Sequence, residues 1–95
     1  MTMAEIRKGK KWIEETTKSV AAEYRRSVDK LKWRILDDGM HSLVFFIGKV
    51  RYVEIFSEDD LSDLPKIPNI KMRMERRLRD LMKSITSETG KQTRS

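Results

Sequence analysis

Apolar residues first recur at spacings of three, four and seven: Met3, Ile6, Ile13, Val20, Tyr24, Val28 and Leu31. No proline interrupts them, so the period predicts an amphipathic helix over residues 4–31. Lys10 and Thr17 fall where the apolar seam should continue, which argues against a long coiled coil. Gly9 loosens the first turns, so the firm part of the helix is expected over residues 11–30. Trp12, beside Ile13, is positioned to anchor its start.

The pattern then changes to strands, over residues 32–36, 41–47 and 50–56. Asp37-Asp38-Gly39 separates the first two, and Asp-Gly is a favoured hairpin turn because both residues tolerate positive φ. Gly48-Lys49 separates the second pair as a two-residue loop with glycine first, the type II′ arrangement. That turn pairs Ile47 with Val50, Phe45 with Tyr52 and Leu43 with Glu54 on one face. The other face receives Phe46 with Arg51, Val44 with Val53 and Ser42 with Ile55. With a two-residue Asp-Gly turn as well, Trp33 and Ile35 join the face of Val44, Val53 and Ile55. Both faces carry large apolar side chains, so the sheet needs two covers.

Beyond the sheet, Ser57 followed by Asp60 resembles a capping box with Asp in place of Glu, which predicts a helical turn over residues 58–64. Pro65 and Pro68 predict an extended linker, and Asn69 reads as the N-cap of a last helix over residues 70–84. Its apolar stripe is Ile70, Met74, Leu78, Leu81, Met82 and Ile85. Residues 86–95 contain nothing apolar to bury and are expected to form a flexible tail. The fold class is therefore α+β, in the order α-β-β-β-α. A three-stranded antiparallel meander packs with a long N-terminal helix and a C-terminal helix, in a single domain of residues 1–85. Double-stranded-RNA-binding domains share this element order. The resemblance is of topology alone, because their loop signatures have no match here and the linker before the last helix differs.

Composition narrows the function. The chain has 95 residues, 38% hydrophobic and 38% charged, with no cysteine. That suits one small folded domain and excludes a disulfide scaffold, a zinc-thiolate site or a thiol nucleophile. The charged start lacks the apolar core of a signal peptide, and the longest apolar run, residues 43–47, is far too short to span a bilayer. A cytoplasmic protein is the expectation. Asn69 and Gln92 are the only side-chain amides, a bias shared with proteins from hot environments and countered by six methionines.

Charge is segregated. Residues 1–36 hold ten Lys/Arg against five Asp/Glu, residues 37–65 two against seven, and residues 66–95 nine against three. The ends are basic and the middle acidic, a field that attracts a polyanion, draws the helices onto their own sheet or draws one subunit to another.

Catalytic chemistry finds little support. His41 is the only histidine and reads as a polar strand residue beside a turn. Asp37, Asp38, Glu58, Asp59, Asp60 and Asp63 lack the spacing of a calcium loop and suit turns and a helix start. The glycines lie too far apart for a phosphate loop. Neither an enzyme nor a cofactor or metal is expected. The strongest candidate chemistry is a basic face: Arg73, Arg76, Arg77, Arg79 and Lys83 opposite the apolar stripe of the last helix, extended by Lys30, Lys32 and Arg34. Guanidinium forks suit phosphate oxygens. The expected function is a small basic nucleic-acid-binding or regulatory protein. The alternative is an interaction or assembly module for an acidic partner or itself. The surplus apolar sheet face adds the expectation of a homodimer, with Phe45, Ile47, Val50 and Tyr52, or their counterparts on the other face, at its interface; the competing solution is a closed monomer with one helix on each face.

Overall fold

The computed structural model describes residues 2–94, with side chains described from Thr2 to Ile85. Helix α1 spans Met3–Glu23, followed by strands β1 (Val28–Ile35), β2 (Met40–Ile47) and β3 (Val50–Ser57), then α2 (Glu58–Asp63) and α3 (Pro68–Arg94). The strands form one antiparallel sheet in the order β1-β2-β3. The α+β class with a helix at each end is therefore the observed architecture.

Helix α1 starts well before residue 11 because Thr2 and Glu5 form a reciprocal capping box. The Glu5 amide donates to Thr2 Oγ1 (3.1 Å), and the Thr2 amide donates to Glu5 Oε1 (3.0 Å). Its buried stripe is Ile6, Gly9, Ile13, Thr17, Val20 and Ala21. Thr17 belongs to this seam because its hydroxyl donates to the Ile13 carbonyl at 2.6 Å and carries no unpaired polar group inward. Gly9 is buried where α1 crosses α2. A Cβ added there would lie 2.7 Å from the Leu61 carbonyl carbon, and closer still to its oxygen.

The helix ends sooner than its periodicity predicts. Arg25 adopts φ 58°, its amide bonds the Ala22 carbonyl (3.0 Å) and the Arg26 amide bonds the Ala21 carbonyl (2.8 Å). This is a Schellman termination with arginine in the left-handed position usually held by glycine. Val28 and Leu31, which fit the helical stripe, lie in β1 instead. A bulge between Asp29 and Lys32, with Lys30 at φ 56°, gives β1 one extra residue opposite Phe45. The bulge resets the alternation, so that Val28, Leu31 and Trp33 all pack against the core.

The β2–β3 hairpin has the predicted register throughout, from Ile47 opposite Val50 to Ser42 opposite Ile55. Gly48 supplies the positive φ of 63° that a type II′ turn requires at its first position. The other turn differs. Asp37-Asp38-Gly39 is a three-residue loop closed by the Leu36 amide on the Met40 carbonyl (2.8 Å), with Asp38 at φ 62° and Gly39 at 68°. The extra residue moves Trp33 opposite Leu43 and Ile35 opposite His41. Both residues thus belong to the opposite face from the one expected for a two-residue turn.

All three helices contribute to one face of the sheet. Leu43, Phe45, Ile47 and Phe56 pack there with Ile6, Ile13, Val20, Leu61, Leu64, Met74, Met82 and Ile85. Phe45 and Ile47 are therefore core, Tyr52 packs against the same cluster, and only Val50, beside the turn, is exposed. The free face is the other one, which corrects the assignment of Phe45, Ile47 and Tyr52 to an intermolecular surface.

Ser57 caps α2 by accepting from the Asp60 amide at 3.1 Å. The segment expected as an extended linker is a tight turn, in which the Lys66 and Ile67 amides bond the Asp63 carbonyl. Pro68, which lacks an amide hydrogen, opens α3 without losing a bond. The helix continues past residue 84 to Arg94, since Ile85 is anchored in the core and no proline follows. The side chains expected in the tail lie outside the described residues. No described helix is long and apolar enough to cross a membrane.

Candidate nucleic-acid interface

Alternation along the strands determines what stands on the uncovered face. From β2 come Met40, Ser42, Val44 and Phe46; from β3 come Arg51, Val53 and Ile55; from β1 come Lys32, Arg34 and the bulge residues Asp29 and Lys30. Val53 and Ile55 are 42% and 45% exposed. Ser42 and Val44 are buried although they are not part of the helix-side core cluster. Their cross-strand neighbours explain this: Arg34 and Ile55 flank Ser42, and Lys32 and Val53 flank Val44. The central strand thus forms the floor of a shallow trough. The floor is apolar and its β1 side is cationic.

Electrostatically the trough is net positive. Lys30, Lys32, Arg34 and Arg51 stand against the single carboxylate of Asp29. Among the described residues none of these four cations is held in an ion pair. The bulge aims Lys30 across the sheet, placing its Nζ 5.5 Å from the Phe46 ring centroid.

Helix α3 has a different character. Arg73 Nη2 meets Asp60 Oδ1 at 3.0 Å. Arg77 pairs through Nε with Glu54 Oε1 (3.2 Å), donates through Nη2 to the Ile55 carbonyl (2.8 Å) and lies 4.4 Å from the Phe56 ring centroid. Arg79 joins Glu23 and Glu75, each at 3.0 Å. Arg76 and Lys83 are exposed and, among the described residues, hold no ion pair. The eight cations singled out in the sequence therefore do not form one footprint. Lys30, Lys32 and Arg34 line the open face, whereas the α3 group belongs to the layer behind the sheet and three of its arginines serve the fold. Sequence reasoning missed Arg51, Phe46, Val44, Val53 and Ile55 as site residues. The register carried the signal, since it sets Arg51 opposite Phe46.

The remaining titratable groups have structural explanations. His41 is buried on the helix side, where its Nε2 meets Glu58 Oε1 at 3.0 Å and its Nδ1 has no partner among the described residues. It fastens β2 to the start of α2 and is not the polar edge residue expected. Lys66 hydrogen-bonds Glu5, which with its charge and the Thr2 amide holds the Glu5 carboxyl below its ordinary value against the opposing effect of burial. Burial pushes the Lys10 ammonium down, opposed by Glu58 and Glu14, while its Nζ lies 5.2 Å from the Trp33 ring centroid. The Trp33 indole in turn donates to Glu14 Oε2 at 3.0 Å. Among the described residues no three His, Asp or Glu side chains converge as a metal ion requires.

Comparison with protein families, curated proteins and solved structures finds no match to this chain.

Proposed function

We propose that the protein binds nucleic acid through the open face of its sheet. The observation that carries this reading is the contrast between two basic surfaces. The α3 arginines are largely neutralised by their own acidic partners, while Lys30, Lys32, Arg34 and Arg51 surround an uncovered apolar floor with Asp29 as the one carboxylate among them and, among the described residues, no ion pair. Unpaired cations of one sign on a shared face attract a polyanion and release its counterions.

A homodimer through the same face is the second reading, favoured by the exposed apolar side chains of Val53 and Ile55. Charge weighs against it, because face-to-face pairing would set each copy's four cations against the same four. An acidic protein surface would satisfy the charge but has no observation favouring it over phosphate.

Fluorescence anisotropy with labelled oligonucleotides at two salt concentrations tests the proposal. Four phosphate contacts at about 0.7 each give a log–log salt slope near −2.8, or roughly a 50-fold loss of affinity between about 50 and 200 mM salt. Lys32→Glu with Arg34→Glu should abolish binding at the higher salt while leaving the fold intact, since both residues are exposed. Wild-type affinity in that variant, or a salt slope near zero, refutes the proposal.

A further inference from the structure

Resting on that reading, we infer that the ligand is single-stranded, with its backbone along β1 and its bases laid across the sheet onto Phe46. Three observations support this. The cations are asymmetric: Lys30, Lys32 and Arg34 form a single row on one edge strand, whereas only Arg51 stands on β3. One row accommodates one phosphate backbone. Lys32 and Arg34, two residues apart, are about 6.6 Å apart along the strand, a spacing suited to successive phosphates of an extended strand.

The floor beside that row is apolar. Val44, Phe46, Val53 and Ile55 would gain nothing from a duplex, which presents phosphates and sugars outward and keeps the flat faces of its bases stacked inside. An unpaired strand can turn its bases onto such a floor, where an aromatic ring provides a stacking platform that tolerates any sequence.

Phe46 is also accessible and already engaged by a cation. It lies on the central strand, half-buried, with Arg51 opposite and the Lys30 ammonium above its ring. A base arriving on the ring displaces that ammonium toward the adjoining phosphate. Lys30 thereby exchanges a weak ring contact for a charge-assisted one.

Phe46→Leu tests the inference, because leucine retains apolar volume and strand packing but removes the aromatic face. The probes are a single-stranded oligonucleotide, the duplex of the same sequence and an abasic strand of equal length, titrated against wild type, Phe46→Leu and the Lys32→Glu/Arg34→Glu variant. Circular dichroism and thermal melting confirm that each is folded. The expected result is a preference of the wild type for the single strand over both duplex and abasic strand. Phe46→Leu should weaken single-strand binding about ten-fold, as loss of one stacked base does, and leave the salt slope unchanged. A duplex bound as tightly as the single strand, or a Phe46→Leu affinity equal to wild type, overturns the stacking inference. If Lys32→Glu/Arg34→Glu still abolishes binding in that case, the broader nucleic-acid reading survives. No binding of any probe by the wild type overturns both.

Discussion

Replacing Gly9 with alanine separates helix propensity from helix packing. At an exposed helical position, alanine is favoured over glycine by about 1 kcal/mol. Gly9 is not exposed: an added Cβ would lie 2.7 Å from the Leu61 carbonyl carbon and 3.0 Å from its Cα. Carbon atoms pack at about 3.5–4.0 Å, so α1 and α2 must part by about 0.8 Å or more. The obstacle is backbone, and no side-chain rotation relieves it. Parting the helices loosens Leu61 and Leu64, both fully buried beneath α1. Overpacking of this kind costs about 1–3 kcal/mol. With a backbone obstacle, the upper end of that range applies, and after subtracting the propensity gain a net destabilisation of about 2 kcal/mol remains. For a domain of this size that is about 8–16 °C in melting temperature. Urea denaturation followed by tryptophan fluorescence, together with thermal melting, measures it. A Gly9→Ala protein as stable as wild type, or more so, would refute the close crossing of α1 over α2.

Three further outcomes follow from the contacts around the core. Glu58→Ala leaves both ring nitrogens of buried His41 without a partner and should cost about 1–3 kcal/mol in urea denaturation, whereas Glu58→Gln, which keeps an acceptor, should cost clearly less; equal losses would show that the contact is not the cause. Arg77→Ala removes the links to Glu54, the Ile55 carbonyl and Phe56, and should lower stability by about 1–2 kcal/mol with oligonucleotide affinity unchanged. The reverse pattern would make α3 a ligand-binding face. Glu5, held below its ordinary value of 4.5 chiefly by its hydrogen bond from Lys66, contributes stability that is complete above that value and is lost as pH falls through the lower folded value. The stability difference between wild type and Glu5→Gln should therefore shrink as pH drops below about 4.5, and a pH-independent difference would contradict the assignment.

What the sequence disclosed and what it concealed have separate physical causes. The β2–β3 register was legible because a two-residue turn beginning with Gly48 leaves one pairing, and period-two geometry then sorts every side chain. The N-cap of α2 was legible because Ser57 sits three residues before Asp60. The end of α1 was hidden because Arg25 takes a left-handed conformation that sequence patterns associate with glycine, and because Val28 and Leu31 suit a helix as well as a bulged strand. Gly9 read as a loosening of the first turns and Thr17 as a gap in the apolar seam, although one permits a close crossing and the other satisfies its own hydroxyl. The basic face of α3 was visible as a row of arginines, but Glu54, Asp60 and Glu23 lie far from them in the chain. Only the fold brings those acids together with Arg77, Arg73 and Arg79. The open-face site is divided among three strands, and a bulge and a three-residue loop decide which β1 residues share its side.

Methyl-resolved NMR of the protein titrated with a single-stranded oligonucleotide tests the central claim most directly, because methyl groups report on one side of the sheet at a time. The methyl resonances of Val44, Val53 and Ile55, on the open face, should shift progressively with ligand, while those of Leu43, Ile47 and Leu78 in the core stay within a small fraction of that change. Shifts confined to α3, at Met72, Leu81 and their neighbours, or the absence of any shift at saturating ligand, would contradict the claim that the sheet is the binding surface.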